Sequence, residues 1–364
     1  MDKKETDRIL AGCDRFLHGH YRHRLSPAES FEEILAKIDR DWQSDHYGQG
    51  DVISNFEKQM AEMLGKPAAV FMPSGTMCQQ IALRIWSERK GSKNIGFHPK
   101  CHLEIHEQKG YQVLHSLNGV LIGQPDRLIT MDDLGSVRDP LAALLLELPQ
   151  REIGGQLPSW DELCAMTVWA RKRGMAVHMD GARLWEIGPS YQRSYAEIAA
   201  VFDTVYVSFY KGLAGLAGAI LAGPQDFIDE ARIWQRRHGG NLIRLYPYIL
   251  SAKIGLETHL PRMAEFHTRA VEIALRLSAI PEIEVTPDPP HAHMMHLYLR
   301  GDKERLVQAA LALAEESKVW LFSSLGSSPM ANYHMLELSV GDATLDLSVD
   351  EVGDLFAELF RRSS

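Results

Sequence analysis

Short apolar runs alternate with segments of helical periodicity over most of this chain. Apolar positions three and four residues apart predict helices at 31–38, capped by Ser30, at 76–88 and at 160–173. Apolar or β-branched runs predict strands at 68–72, 94–97, 141–146, 176–180, 204–210 and 216–222. Strands that alternate with helices favour an α/β domain with a doubly wound sheet and a site at the carboxyl edges of its strands.

The pattern changes near residue 251. A long helix is predicted at 250–277, followed by a strand at 293–299, a helix at 302–317 and a strand at 334–339. This order is typical of a smaller α+β domain. We therefore predict an N-terminal arm and helix at 1–49, a large domain at 50–250 and a small C-terminal domain at 251–364.

Composition excludes several classes of function. The chain has 364 residues, 45% of them apolar, and a formal net charge of −9, which gives no basis for binding nucleic acid or an anionic membrane. Four scattered cysteines argue against a disulfide framework or a zinc site. The charged N-terminus lacks the apolar core of a signal peptide, and no apolar run reaches the ~20 residues of a membrane helix. We therefore predict a cytoplasmic protein.

Lys211 directly follows the run 204–210 and precedes a stretch of small residues at 212–218. An amine at a strand end inside a glycine-lined turn loses hydration, which lowers its pKa and makes it nucleophilic toward an aldehyde. A Schiff base with pyridoxal 5′-phosphate (PLP) requires such an amine. Asp180 ends the strand 176–180, where its carboxylate is suited to hold a pyridine nitrogen protonated. Taken singly, the lysine also fits a solvated strand end, and the aspartate a helix N-cap.

The turn Ser74-Gly75-Thr76 lies between a predicted strand and the start of a predicted helix, where N–H groups and hydroxyls converge on an anion. It is a candidate phosphate site, to which Ser208 adds a hydroxyl, although an ordinary helix cap explains it as well. His102 is suited to stack on a flat ring, or is a surface histidine on a helix. The histidine-rich segments 98–107 and 291–296 match no metal-ligand spacing, so no metal site is predicted.

Taken in order, these segments resemble the threonine aldolase and β-eliminating lyase family of fold-type I PLP enzymes. The resemblance covers about residues 47–250, and its most specific part is the run His178-Met179-Asp180-Gly181-Ala182-Arg183. The other matching segments are 71–76, 102–107, 147–155 and 210–213. It implies a fold-type I large domain with a mixed, mostly parallel sheet, followed by a smaller α+β domain.

The resemblance also implies how the cofactor is held. Lys211 would bind PLP covalently, Asp180 would pair with its ring nitrogen, and His102 would stack on its ring. The phosphate would be held by Ser74, Gly75, Thr76 and Ser208. Arg244 looks like a family arginine that reaches the phosphate from a neighbouring subunit, which implies a homodimer or homotetramer with the active site at the interface.

On the substrate side, the chain departs from the family. Arg183 would face the substrate carboxylate, but Gln150 stands where the family has a histidine and cannot act as a general base. The segment 335–339 lacks a second carboxylate-binding arginine, and His18 and His20 stand in place of an arginine–serine pair. The substrate-binding candidates are therefore Arg183, Gln150, His18 and His20, and the base is left to His102, His18, His20 or a bound water.

The resemblance implies a PLP-dependent lyase that cleaves a β-hydroxy-α-amino acid, such as threonine or allo-threonine, to glycine and an aldehyde. The reaction would be a retro-aldol cleavage with the cofactor ring as the electron sink. Two alternatives stay open. One is β-elimination, or another lyase reaction, on a different amino acid. The other is a PLP-binding protein without catalysis.

Overall fold

The computed structural model describes residues 3–363, which fold into two compact units. The large unit comprises residues 27–152 and 157–261, and the small unit comprises residues 3–26, 153–156 and 262–363. The sequence pattern instead placed its divisions after residues 49 and 250. The units therefore differ in their bounds from the predicted domains, because the first 26 residues group with the C-terminal part of the chain.

Helices and strands are numbered along the whole chain. The helices are α1 (Lys3–Ala11), α2 (Pro27–Lys37), α3 (Asp51–Met63), α4 (Gly75–Lys90), α5 (His102–Ile105), α6 (Gly110–His115), α7 (Met131–Ser136), α8 (Trp160–Lys172), α9 (Gly188–Tyr191), α10 (Tyr195–Ala200), α11 (Gln225–Arg237), α12 (Tyr246–Thr258), α13 (Met263–Ser278), α14 (Lys303–Ser317), α15 (Asp342–Leu345) and α16 (Val349–Ser363). The strands are β1 (Arg15–Phe16), β2 (Ala68–Met72), β3 (Asn94–Phe97), β4 (Asn118–Leu121), β5 (Ala143–Glu147), β6 (Ala176–Gly181), β7 (Thr204–Ser208), β8 (Ala219–Gly223), β9 (Ile283–Thr286), β10 (Met294–Arg300), β11 (Val319–Trp320) and β12 (Tyr333–Ser339).

The large unit is built on a seven-stranded sheet with the order β2-β8-β7-β6-β5-β3-β4. Pairing is parallel from β7 through to β4, whereas β8 runs antiparallel to both β7 and β2. The central strands β5, β6 and β7 are buried along their whole length, as expected for strands covered on both faces. The predicted mixed, mostly parallel α/β sheet is confirmed.

Most predicted strands of the large unit lie within three residues of the observed ones, and β2 and β3 match residue for residue. Strand β4 was not predicted. It lies at the sheet edge, and its residues are partly or fully exposed, so the segment lacks the apolar run that marks the buried strands.

Two predicted helices were wrong in their extent. The single helix predicted at 250–277 is two helices, α12 and α13, because Pro261 has no N–H to continue the ladder and lies in a short 3₁₀ turn, Leu260–Arg262. Helix α2 begins at Pro27, which favours the first position of a helix, so Ser30 lies inside the helix and does not cap it.

The small unit contains a three-stranded antiparallel sheet of order β12-β10-β9 and a parallel pair of short strands, β1 and β11. Helix α14 begins after Asp302, whose Oδ1 accepts from Arg305 N at 2.9 Å and caps the helix. The predicted strands at 293–299 and 334–339 correspond to β10 and β12. Over residues 3–363, no helix combines the length and hydropathy needed to cross a bilayer.

Candidate active site

Lys211 lies in the turn between β7 and the antiparallel strand β8. The turn is closed by hydrogen bonds from Ala214 N to Lys211 O, at 2.8 Å, and from Gly215 N to Phe209 O, at 2.7 Å. A Cβ on Gly215 would come within 2.7 Å of Phe209 O, so the turn needs a glycine there. Burial, followed by the positive charge of Arg183, lowers the pKa of the Lys211 amine, as a nucleophilic lysine requires.

Asp180 lies near the end of β6, directly beside Tyr206 of β7 in the sheet register. Its side chain is buried, and its two oxygens accept from Ala182 N at 3.1 Å and from Nε2 of Gln79. Burial raises the pKa of the Asp180 carboxyl, while the positive charge of Lys211 opposes that rise. The two predicted residues therefore meet at the carboxyl edge of adjacent strands, close enough to act on each other's charge.

Ser74, Gly75 and Thr76 form the start of helix α4. The hydroxyl of Ser74 accepts from Met77 N at 3.3 Å and caps the helix. Gly75 is required because a Cβ there would overlap the phenol of Tyr206. The free N–H groups of this helix start are suited to an anion such as phosphate.

Ser208, the fourth predicted phosphate residue, ends β7. Its hydroxyl donates to Ala182 O at 2.7 Å. The hydrogen that would have reached a phosphate is therefore used within the protein, and Ser208 ties the end of β7 to the loop after Asp180. The geometry supports the α4 turn as a phosphate site more directly than it supports Ser208.

His102 begins the short helix α5, and its ring is fixed by an acid. Nδ1 of His102 lies 3.1 Å from Oε1 of the buried Glu107, whose other oxygen accepts from Gln80 Nε2 at 3.4 Å. The backbone N–H of His102 donates to Oε2 of Glu147 at 3.1 Å. The negative charge of Asp180 and the His102 ring interact, so His102 belongs to the same cluster.

Glu147 is a site residue that the sequence did not single out. It ends β5, opposite Asp180 of β6 in the register, and its carboxylate accepts from His102 N, from Gln150 Nε2 at 3.1 Å and from Arg151 N at 3.2 Å. Burial, and then the charge of Asp180, raise the pKa of the Glu147 carboxyl. The sequence feature that could have identified Glu147 is an acidic residue at the end of an apolar run, the same feature that identified Asp180.

Gln150 is buried, and its amide nitrogen is fully engaged. Nε2 donates to Lys100 O at 3.1 Å as well as to Glu147. The residue that replaces the expected base therefore holds the carboxylate of Glu147 in place. An acid, Glu147, therefore lies beside Gln150, the position at which a general base was expected from the family.

Arg183 follows Asp180 by three residues and is held near Glu186, with Nε 3.9 Å from Oε1 of that buried acid. Its charge lowers the pKa of Lys211, so it lies near that amine, and its role toward a substrate carboxylate stays a prediction. Arg244 is exposed in the loop after α11, and its Nη1 donates to Ile243 O at 2.8 Å. The single chain does not bring Arg244 to the cluster.

His18 and His20 belong to the small unit. Nδ1 of His18 accepts from Ser339 N at 3.1 Å, and Nδ1 of the buried His20 lies 3.2 Å from Oδ1 of Asp342. His18 therefore contacts the last residue of β12, and His20 contacts a residue just after that strand. Their role toward a substrate stays a prediction.

Tyr210, the residue before Lys211, was also missed. Its hydroxyl lies 3.3 Å from that of Tyr206, the residue whose ring packs on Gly75. Burial raises the pKa of both phenols, so both are neutral hydroxyls at neutral pH. The pair joins the lysine turn to the start of α4.

Comparison with known proteins places this site in a family. The Low-specificity L-threonine aldolase 1 of Arabidopsis thaliana is 25% identical over 305 residues, which cover 81% of this chain and 84% of that protein. A crystal structure from Listeria monocytogenes EGD-E, provisionally assigned as an L-allo-threonine aldolase, is 42% identical with a TM-score of 0.92, covering 98% of this chain and 99% of that one.

A more distant structure shares the fold alone. A serine palmitoyltransferase variant from S. paucimobilis, with PLP and myriocin bound, is 17% identical with a TM-score of 0.68, covering 96% of this chain and 89% of that one. The predicted fold class is confirmed by these similarities. The family model for β-eliminating lyases matches residues 31–299. This match spans most of the chain, and the chain therefore belongs to the β-eliminating lyase family, as its motifs predicted.

Proposed function

We propose that this chain is a PLP-dependent lyase that cleaves a β-hydroxy-α-amino acid, of the threonine or allo-threonine type, to glycine and an aldehyde. The observation that carries the proposal is the pairing of a partly buried amine, Lys211, with a buried carboxylate, Asp180, at the carboxyl edge of adjacent strands. The similarity to threonine aldolases supports the choice of reaction.

The residues present fit PLP in three separate respects. Lys211 offers an amine whose pKa is lowered, for the aldehyde carbon. Asp180 offers a carboxylate whose two N–H donors leave lone pairs for a ring nitrogen. The start of α4, at Gly75, offers N–H groups to a phosphate. When bound, PLP supplies the electron sink for bond cleavage at the substrate Cα, and the protein supplies alignment and charge.

The residues of the chain would then bind the substrate, cover the cofactor ring and transfer the proton. Arg183 would bind the substrate carboxylate by its planar guanidinium, and His102, fixed by Glu107, would cover the flat ring. Glu147 is the titratable group beside Gln150, and its raised pKa suits it to take up and return a proton near neutral pH. We therefore add Glu147 to His102, His18, His20 and water as a candidate for the substrate hydroxyl proton.

The exposed position of Arg244 supports a shared site. The exposed Arg244 guanidinium donates to the neighbouring carbonyl, Ile243 O, which leaves its other N–H groups available to the phosphate site of a second copy. We propose a symmetric homodimer, or a homotetramer built from two such dimers, in which each copy of a dimer supplies Arg244 to the other. The partner is a second copy of this chain, and the substrate is a small amino acid.

The first experiment is a product analysis. PLP-loaded protein is incubated with L-threonine or L-allo-threonine, and glycine, acetaldehyde and 2-oxobutanoate are quantified by proton NMR. Equal amounts of glycine and acetaldehyde are expected. Formation of 2-oxobutanoate would replace the aldolase proposal with β-elimination, and no product from either substrate, with PLP bound, would favour other substrates or a non-catalytic PLP-binding protein.

A labelling experiment tests the lysine. Borohydride reduction of the PLP-loaded protein should fix the cofactor on the wild-type chain and not on Lys211→Ala. Lys66→Ala is the matched control, because Lys66 is also a largely buried amine of the large unit, with a pKa lowered to about 8 and a hydrogen bond to Phe202 O. Retention of label in Lys211→Ala, or its loss in Lys66→Ala, would contradict the assignment.

A further inference from the structure

Behind Asp180, a row of hydrogen bonds runs through the interior of the large unit. Oδ2 of Asp180 accepts from Gln79 Nε2, and Gln79 Oε1 lies 2.8 Å from Nε2 of His178. Nδ1 of His178 lies 2.8 Å from Thr204 Oγ1, which accepts from the indole Nε1 of Trp86 at 2.8 Å. We call these five side chains the buried relay. None of them is more than 9% exposed.

When Asp180 is ionised, one direction of donation satisfies every member of the buried relay. The indole N–H of Trp86 can only donate, so Thr204 Oγ1 accepts it and gives its own hydrogen to Nδ1 of His178. His178 then carries its proton on Nε2 and donates to Gln79 Oε1. The amide N–H of Gln79 is thereby turned toward Asp180. The tautomer and the amide orientation follow from this bonding pattern.

His178 takes part as a neutral ring. Burial lowers its pKa to about 3, so it carries no charge at neutral pH that would compete with Lys211 for Asp180. Its contribution is therefore a fixed donor at Nε2. The carboxylate of Asp180 is the charged end of the buried relay.

If Asp180 were protonated, the direction of hydrogen-bond donation along the buried relay would have to reverse. Gln79 would turn its Oε1 toward the acid, and His178 would carry its proton on Nδ1 and donate to Thr204. Trp86 opposes this reversal, because Thr204 Oγ1 would then accept from both neighbours and need a new acceptor for its own hydrogen. The fixed indole donor of Trp86 thus favours the ionised form of Asp180 through the three side chains that lie between them.

We propose that Gln79, oriented by His178, Thr204 and Trp86, is the positioning residue that keeps Asp180 ionised, with a lone pair of its carboxylate left for the ring nitrogen of the cofactor. The proposal rests on PLP binding by this chain. One proton is shared between the ring nitrogen and the Asp180 carboxyl, and each N–H donated to the carboxylate favours that proton on the nitrogen. Loss of the Gln79 donor should move it toward the carboxyl.

The test measures whether the ring nitrogen of PLP is protonated, in addition to the activity. PLP labelled with ¹⁵N at the ring nitrogen is bound to the wild-type chain and to Gln79→Leu, and its ¹⁵N resonance is followed from pH 6 to 9. The wild-type resonance should stay at the protonated position throughout. In Gln79→Leu it should move toward the unprotonated position, and turnover should fall at least tenfold.

Two further variants separate orientation from simple packing. His178→Gln places an amide N–H near the position of Nε2 and should keep the wild-type resonance, whereas His178→Leu should shift it in the same direction as Gln79→Leu. Gln235→Leu is the matched control, because Gln235 is a buried glutamine whose Nε2 donates to Phe71 O and Gly240 O, away from Asp180. It should lose stability without moving the resonance.

The outcomes distinguish this inference from the proposed function. If the wild-type chain does not bind PLP through Lys211, both proposals fail. If PLP binds and Gln79→Leu keeps a protonated ring nitrogen over the whole pH range, the role of Gln79 is overturned while the lyase proposal stands. If Gln79→Leu does not fold, Thr204→Val, which keeps the side-chain shape and removes the hydroxyl, decides the question by the same resonance.

Discussion

Glu147 is a carboxylic acid in the interior of the large unit, where three N–H groups hold it beside Asp180. Those donors stabilise its charged form, yet burial and the neighbouring charge outweigh them and raise its pKa. A carboxyl with a raised pKa binds a proton in the folded state that it has released in the unfolded state. This difference links the stability of the fold to pH.

The linkage gives a prediction with a definite sign. Because the folded pKa of Glu147 is above the unfolded value, its contribution to stability is fully present below about pH 4.5 and is lost as the pH rises toward neutrality. The free energy of unfolding, measured by urea denaturation of the cofactor-free protein, should therefore fall less over this range in Glu147→Gln than in the wild-type chain. Parallel curves for the two proteins would show that Glu147 ionises normally.

At the residue scale, the sequence predicted the charged ends of strands but not what surrounds them. Lys211 and Asp180 each close an apolar run, so their place at the sheet edge followed from the pattern. Gln79 and Glu147 are as central to the candidate site as Lys211 and Asp180, but their role depends on which buried side chain each one contacts. That depends on strand order and helix packing, which local pattern does not contain.

At the scale of elements, the contact between α4 and β7 positions the candidate phosphate site. The ring of Tyr206 occupies the space that a side chain at Gly75 would need, so the helix start is pressed directly onto the strand that leads to Lys211. Close approach of this kind brings the helix N–H groups near the lysine turn. It also leaves no room for even one methyl group.

Gly75→Ala should therefore damage both fold and binding. The added Cβ would displace Tyr206 or the start of α4, at a cost of roughly 1–3 kcal/mol in the free energy of unfolding and a loss of PLP affinity. Gly135→Ala is the control, since a Cβ on this exposed glycine of α7 would meet nothing within 4 Å and should change stability by no more than about 1 kcal/mol. Equal behaviour of the two variants would contradict the contact.

The elements themselves were largely predictable where they are buried or strongly periodic. Strands β2 and β3 were placed residue for residue because their short runs are sharply bounded, β2 by Pro67 and Pro73 and β3 by Lys93 and His98. The division of 250–277 was missed because apolar residues recur at helical spacing on both sides of Pro261, which ends the ladder between α12 and α13. Edge strand β4 was missed because it is not buried.

At the scale of the whole molecule, the proposed homodimer would share each site between two copies of the chain. In that proposal Lys211 comes from one copy and Arg244 from the other; Arg244 is exposed, and its Nη1 donates to Ile243 O. If the partner supplies Arg244, two inactive variants contain between them one complete site. This property gives a test that does not depend on the absolute activity of either variant.

Lys211→Ala and Arg244→Ala should each be nearly inactive as homodimers. After mixing and subunit exchange, half of the dimers are mixed, and one of the two sites in each mixed dimer is fully wild-type, so activity should recover to about a quarter of the wild-type value. The dimer content is checked by analytical ultracentrifugation. No recovery after proven exchange would mean that each copy uses its own Arg244.

The close contact of Gly75 with Tyr206 also bears on how such a sequence can change over time. The two positions share one volume, so a side chain at position 75 is tolerated only after the residue at position 206 has become smaller. A larger residue at position 75 is expected only in relatives that carry a small residue at position 206. Changes in the specificity of the site are therefore expected around Gln150 and Glu147 and not at positions 75 and 206.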